Sequence, residues 1–397
     1  MASYKYSVYN SKNRGRSNNR GRSGGGNKRR GEYINPSRFV QAAKPTIETQ
    51  YTATHKFSDF QVDSLIHDNL TSKGYETPSA IQDQTIPLAL EGNDVIGLAN
   101  TGTGKTAAFA VPVINALISR QNAKALIVAP TRELAKQIEE ECRSIGKGAG
   151  FYGALLIGGT SMGPQLRDLR SNPRIVIGTP GRIKDHMDRG TLKLDGFNMI
   201  VLDEVDRMLD MGFVNDVSTI LDAMSADRQS FFFSATMDAR VQNLIGTFSN
   251  NPKTVSVKSG DSSENVNQDV VRFNGNHEKI DKLHDILIRQ EVDKVIVFDE
   301  TQRSVEKLSN ELVARGFSAD AIHGGKSQGQ RQRALDKFKA SQTKILVATD
   351  VAARGIDVAD ISHVINYSQP QSYQDYVHRI GRAGRAGKIG HALTFVN

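Results

Sequence analysis

Three stretches of this chain hold residue types, at spacings, that could do chemistry. Residues 99–106 read Ala-Asn-Thr-Gly-Thr-Gly-Lys-Thr, after one apolar run and before an amphipathic one. That is the strand–loop–helix context of a phosphate-binding loop, with Ala99 where the usual form has glycine. Glycines let backbone N–H groups wrap around phosphate oxygens, and the start of the next helix adds partial positive charge. Lys105 then reaches the β- and γ-phosphates of a nucleotide, and Thr106 the shell of a Mg2+ ion. Asp203 and Glu204 close the apolar run 199–202. Carboxylates at the carboxyl end of a parallel strand face the ligand crevice of an α/β sheet. Asp203 is placed to hold Mg2+ through water, and Glu204 to orient and deprotonate an attacking water. Residues 378–385, His-Arg-Ile-Gly-Arg-Ala-Gly-Arg, bring arginines from far along the chain, which suggests a hydrolysis site split between two domains. Each stretch has a plainer reading: a glycine turn, two acids capping a helix, surface arginines. Together they point to Mg2+-dependent nucleotide hydrolysis.

The hydrophobic pattern says which elements must position these groups. Short apolar runs at 94–98, 125–129, 154–157, 174–177, 199–202 and 230–233 alternate with amphipathic stretches such as 133–145. The alternation resumes with runs at 294–298, 319–322, 344–348, 363–365 and 392–396. β–α alternation of this kind argues for α/β architecture with parallel sheets and right-handed crossovers. A polar stretch at 258–265 interrupts it, so residues 51–257 and 267–397 are expected to form two domains joined by a linker at 258–266. No apolar run approaches the ~18 residues of a membrane span. No apolar h-region marks a secretory signal at the N-terminus. Cys142 is the only cysteine, which suits a reducing, cytoplasmic setting and excludes an internal disulfide or a cysteine-built metal cluster.

The charge is uneven. The chain is +8, yet residues 1–44 carry eleven Lys/Arg and one acid, so that stretch is +10 and the remainder −2. Its Arg, Gly, Ser and Asn cannot bury a core, so residues 1–50 are expected to be a disordered basic tail. With Tyr4, Tyr6, Tyr9 and Tyr33 nearby, the Arg-Gly steps suit a nucleic-acid-binding arm, while a purely solubilising tail or a targeting peptide stays open.

Taken in order from about Phe57 to the C-terminus, the motifs resemble those of the DEAD-box RNA helicases, a branch of helicase superfamily 2. The resemblance implies two tandem RecA-like domains, ATP and Mg2+ as cofactors, and RNA-stimulated ATP hydrolysis that drives local, non-processive unwinding or remodelling of RNA. It implies that Phe57, Tyr75 and Gln82 read the adenine, that Thr101, Gly102, Thr103, Gly104, Lys105 and Thr106 hold the phosphates, and that Gly355 and Asp357 meet the ribose side. Arg382 and Arg385 are implied as arginine fingers toward the γ-phosphate, making Lys105, Glu204, Arg382 and Arg385 the catalytic set, with Thr106, Asp203 and Glu204 as the metal set. Pro130, Thr131, Arg132, Gly159, Thr179, Gly181, Arg182, Arg331 and Thr349 match RNA-contacting positions. Ser234, Thr236 and Asp206 match the coupling motif, and His378 and Arg379 are expected to bind first-domain residues such as Asp206 or Ser234. Thr, Gly and Arg suit sugar–phosphate contact without base reading, so the implied partner is RNA of any sequence, with protein partners for targeting and a monomeric chain.

The sequence departs from the family pattern in three places. Val205 stands where alanine names the family, giving Asp-Glu-Val-Asp. Ala383 stands where threonine is usual. The chain ends at Asn397, where relatives continue into a helix, so one flank of the second sheet is expected to be uncovered. Three rivals share these residues: a DNA-directed superfamily-2 motor, an ATP-dependent RNA clamp or annealing chaperone, and a non-enzymatic scaffold, the last disfavoured by the intact catalytic set.

Overall fold

The computed structural model describes residues 33–43, 51–100, 102–257, 265–353, 358, 360–384 and 388–397. Two all-parallel sheets organise it. The first holds β1 (Val95–Ala99), β2 (Ala125–Val128), β3 (Gly153–Leu156), β4 (Ile175–Gly178), β5 (Met199–Leu202), β6 (Gln229–Ser234) and β7 (Lys253–Val257) in the order β3-β4-β2-β5-β6-β1-β7. The second holds β8 (Val266–Arg272), β9 (Val295–Phe298), β10 (Ala319–Ile322), β11 (Ile345–Ala348), β12 (His363–Asn366) and β13 (Gly390–Val396) in the order β10-β11-β9-β12-β13-β8. Central strands read as unbroken apolar runs because both faces are covered; Phe231, Phe232 and Phe233 of β6 are all fully buried. Phe231 and Phe233 pack on one side with the helix Lys105–Ser119, Phe232 on the other with Val205 and Met208.

Each apolar run expected from the sequence is a strand, within a residue or two. The edge strands β7 and β8 were not expected. Their exposed and half-buried positions carry Lys, Thr, Ser, Asn, Asp and Arg, so their sequence reads like the polar segment between them. Val266 is already the first residue of β8. Residues 1–32 and 44–50 of the basic tail and 258–264 of the linker lie outside the described residues.

The expected uncovered flank is a correction. Ile34 and Phe39 are buried there against Val266, Tyr376, Ile380, Ala392 and Val396. A segment that precedes the first sheet in sequence thus covers the second one.

His363 on β12 lies stacked on His391 of β13, with ring centroids 4.8 Å apart. Burial first, then the neighbouring His391 and Arg289 against an opposing Glu291, push its pKa down to about 4. The ring is therefore neutral when folded but titrates at the ordinary value near 6.5 when unfolded. Its stabilising effect is complete above about pH 6.5 and is lost as pH falls toward 4. The unfolding temperature of the second half should decline across that window, and His363→Gln should flatten the decline; calorimetry at stepped pH measures both.

Candidate functional site

The phosphate loop leaves the end of β1 and enters the helix Lys105–Ser119 through two left-handed glycines, Gly102 (φ 86°) and Gly104 (φ 90°). A Cβ on Gly104 would meet the Gln82 amide nitrogen at 2.4 Å, so the position excludes any larger residue. Lys105 is buried, and its Nζ donates to the Ala99 carbonyl at 3.0 Å. Thr103 donates to the Asn100 carbonyl at 2.9 Å, and Ser79 donates to the Thr103 carbonyl at 2.8 Å. Gln82 closes the frame. Its Oε1 accepts from the Ser79 N–H at 2.8 Å, and its Nε2 donates to the Gly104 carbonyl at 3.0 Å. The amide expected to read adenine thus braces the loop itself. Beside it, Asp83 accepts from Tyr51 Oη (2.6 Å) and the Thr54 N–H (2.7 Å) and pairs with His55 Nδ1 (2.6 Å), which pins the chain entering the first half onto the helix Ala80–Leu90. Phe57 lies edge-on to Tyr75 at 5.2 Å, and Tyr75 donates to Glu141 at 3.0 Å. A cleft of about 480 Å³ opens over this frame, lined by Tyr75, Gly102, Gly104, Lys105, Thr106, Asp203 and Glu204.

The carboxylates stand at the end of β5. Glu204 is left-handed (φ 53°, ψ 55°), a conformation costing a non-glycine residue about 1–2 kcal/mol. Two bonds offset it: the Glu204 N–H donates to Asp203 Oδ1 at 2.9 Å, and Arg207 Nη1 donates to Glu204 Oε2 at 2.8 Å. Burial pushes Asp203 above the usual carboxylate range, against the pull of Lys105. Glu204 is as buried, but Arg207, Lys105 and Arg382 together outweigh that and hold it below the usual range. Asp206 is occupied elsewhere: it accepts from the Thr236 N–H (2.9 Å) and Oγ1 (3.0 Å), while its own N–H donates to Ser234 Oγ at 3.3 Å.

Arg382 comes from the second half, is buried, and acts on Glu204 of the first. Ala383 beneath it is buried as well, and a Cβ on Gly390 would lie 2.6 Å from the Ala383 Cβ, so this turn has room only for small residues. Arg379 departs from expectation. Its guanidinium is bidentate to Asp350 (2.6 and 2.7 Å), donates to Asn366 and Ser368, and lies over Phe298, all within the second half. A buried guanidinium needs a carboxylate partner, and Asp350 of its own half supplies it. His378 lines a crevice with Arg207, Asp350 and Arg382, where the halves meet. Thr101, Gly355, Asp357 and Arg385 lie outside the described residues.

A second cleft, about 440 Å³, runs between the halves. Pro130, Thr131, Arg132, Glu133, Thr179, Gly181 and Arg182 line one wall, and Gly324, Arg331 and Val351 the other. Thr131 caps the helix Arg132–Ile145, and Thr179 precedes the helix Pro180–Asp188. Arg132 lies so close over Gly158 and Gly159 that a Cβ on Gly159 would meet it at 1.9 Å. Thr349 is buried at the start of the short helix Asp350–Ala353. Buried Glu133 joins the walls: it pairs with Arg331 at 3.0 Å and accepts from Gln328 at 3.0 Å.

Family models match this chain in two places: the DEAD/DEAH box helicase model over residues 79–244 and the helicase conserved C-terminal domain model over residues 278–387. It is 44% identical to the DEAD-box ATP-dependent RNA helicase CshA of Bacillus licheniformis over 345 residues, 86% of this chain and 71% of that protein. The chain belongs to the DEAD-box RNA helicase family. It is 45% identical over 342 residues to the ATP-dependent RNA helicase CshA of Listeria monocytogenes, 86% of this chain and 66% of that protein. This DEAD-box chain thus spans about two thirds of the length of the curated relatives it matches. Its fold, two tandem RecA-like units, is similar to that of S. cerevisiae Dbp5 bound to RNA and ADP BeF3, with a TM-score of 0.74 and 29% identity over 86% of this chain and 89% of that one.

In this DEAD-box chain, Ser79 and Arg207 matter to the site and were not singled out from the sequence. Ser79 had a legible signal, as the first residue of a capping box with Gln82. Arg207 had none, because a charge in the first turn of a helix is ordinary. Gln82→Ala should loosen the loop and raise the KM for ATP about tenfold or more, the scale of two lost buried hydrogen bonds, with a modest fall in melting temperature; nucleotide titration and thermal melts of parent and variant measure both. Glu133→Gln should weaken the bridge between halves, lowering RNA-stimulated turnover while leaving ATP binding without RNA intact; paired turnover and nucleotide titrations separate the two effects.

Proposed function

We propose that this protein is an ATP-dependent RNA helicase, a Mg2+-dependent and RNA-stimulated ATPase that remodels RNA locally. The observation that supports this most directly is that buried Arg382 of the second half lines one crevice with Arg207, the hydrogen-bond partner of Glu204 in the first half, and helps keep Glu204 ionised. Hydrolysis then requires closure, and the second cleft, lined from both halves, makes RNA the ligand that favours closure. Residues 51–257 and 266–397 act as the two domains, with 258–265 between them, and the basic residues ahead of the seated segment 34–43 act as a tether for RNA. The protein works as a cytoplasmic monomer, with targeting left to protein partners; no helix of the described residues is long and apolar enough to cross a membrane.

The donor set fits Mg2+. Thr106 and Asp203 offer hard oxygen ligands in one cleft, and the buried Asp203 carboxylate lacks a compensating cation of its own beyond Lys105. Among the described residues no cluster of three or more His, Cys, Asp or Glu forms a protein-only metal cage. Magnesium is commonly held by one or two carboxylates together with substrate phosphates. When bound there, the ion supplies neutralisation of phosphate charge. The chain's own residues do the rest. Lys105 binds the β- and γ-phosphates once it releases the Ala99 carbonyl, and loop N–H groups cradle them. Arg207 keeps Glu204 ionised and aimed, so Glu204 holds the attacking water as an acceptor and takes its proton as charge builds. Arg382, with Arg385, stabilises that charge. Asp206 ties this machinery to Ser234 and Thr236, so a change at the nucleotide reaches the strand β6.

Val205 makes this an Asp-Glu-Val-Asp variant of the motif. Its side chain is buried with Leu202, Met208 and Phe232 under the carboxylates, so it acts through packing. Val205→Ala should change the RNA dependence of turnover more than the affinity for ATP.

Steady-state ATP hydrolysis with no nucleic acid, single-stranded RNA or matched DNA tests the reading. Stimulation by RNA alone is expected; equal stimulation by DNA would replace it with the general motor. Glu204→Gln should cut turnover about 10²- to 10⁴-fold while ATP and RNA still bind together, and normal turnover in that variant would remove Glu204 from its role.

A further inference from the structure

The segment before the first half makes contacts that no part of the proposed cycle uses. Asn35 accepts from the Ser37 N–H at 3.1 Å and starts a turn, Pro36–Phe39, that the ring of Pro36 stiffens. Phe39 is fully buried, its ring 4.7 Å from that of Tyr376. Arg38 lies over the ring of Tyr373, 3.7 Å from its centroid. Gln41 and Gln268 exchange both backbone hydrogen bonds, at 3.0 and 2.8 Å, and the Ala43 N–H donates to Asn267 at 2.7 Å. One antiparallel step is thereby added to the edge of an otherwise parallel sheet.

These contacts converge on one helix, Tyr373–Ile380. Tyr376 is held from two sides, by Phe39 and by its own Oη donating to Gln268 at 2.9 Å, the same residue that pairs with Gln41. The helix ends at Gly381, and Arg382 follows at once. Its far side is fixed by Arg379 on Asp350. We infer that residues 34–43 are a strap that seats this helix and so positions Arg382 against Glu204. Phe39 and Arg38 are positioning residues, acting on the reaction through Tyr376 and Tyr373. A cover for an exposed sheet edge would need only the Gln41 pairing. The buried aromatic and the stacked guanidinium, both aimed at the helix, are what a positioning element adds. The turnover consequence rests on the helicase reading; the seating of the strap does not.

The test uses the full chain and two measurements. In Phe39→Ala, backbone deuterium exchange should rise within 373–382 and stay as in the parent within 95–128. RNA-stimulated kcat should fall about ten- to a hundredfold, the scale of a small misplacement of a catalytic group, with little change in the KM for ATP. Phe39→Leu should restore most of both, and Arg38→Ala, at an exposed position that does not hold the core, should reproduce a smaller drop in kcat. Unchanged exchange in Phe39→Ala would overturn the strap. Raised exchange with parental kcat would reduce it to an edge cover. A fall in kcat matched by a rise in KM would mark general destabilisation and overturn the positioning role. If the parent chain shows no RNA-stimulated turnover, the helicase reading fails, and the exchange comparison still decides whether the strap is seated.

Discussion

A buried set of charges cannot balance within one half of the molecule, and much of the structure answers to that. Lys105, Asp203, Glu204, Asp206 and Arg207 are all at most 7% exposed and all belong to the first half. Two cations face three carboxylates there. Taking charge out of water is costly, and burial shifts a carboxylate toward its neutral form, as it does Asp203 against the pull of Lys105. Arg382 supplies the third cation from the other half. The same group that would stabilise the transition state therefore also compensates the resting site, so closure and catalytic competence draw on one electrostatic term. A bound nucleotide with its metal adds further charge of both signs between the halves, which makes the joined state sensitive to what the cleft contains.

Much of this was legible in the sequence because the informative residues sit where local rules are strict. Gly104 must be glycine, since its φ is 90° and Gln82 occupies the space of a side chain. The central strands were legible because burial on both faces leaves them as runs of mostly apolar residues. What escaped had weaker local demands. β7 and β8 are edge strands with one wet face, so they read as linker. Arg379 was expected to cross the cleft, but the choice between Asp350 and Asp206 depends on distances between elements far apart in the chain. Gln82 shows the same limit from the other side: its type was informative, while its present partners, Ser79 and Gly104, follow from how the helix Ala80–Leu90 meets the loop. The strap was invisible for a third reason. Its residues lie within the stretch 1–50 expected to be a disordered tail, and only tertiary contact with Tyr373 and Tyr376 gives Arg38 and Phe39 a place.

The helix Arg132–Ile145 shows how two clefts in different parts of the molecule can be one device. Its first turn carries Arg132 and Glu133 into the cleft between the halves, with Thr131 as cap. Further along, Leu134, Gln137, Glu140 and Glu141 line the nucleotide cleft, and Glu141 holds both Tyr75 and Lys73 there. A helix is stiff over a few turns, so tilting its first turn also shifts the wall beside the adenine side. Glu133 ties that first turn to Arg331 and Gln328 of the second half. On the proposed function, a strand of RNA in the cleft would compete for Arg132, Arg182 and Arg331, and thereby load or unload the Glu133 bridge. The coupling needs no pathway through the sheet: one rigid element has an end in each site, and the bridge at Glu133 reports on both.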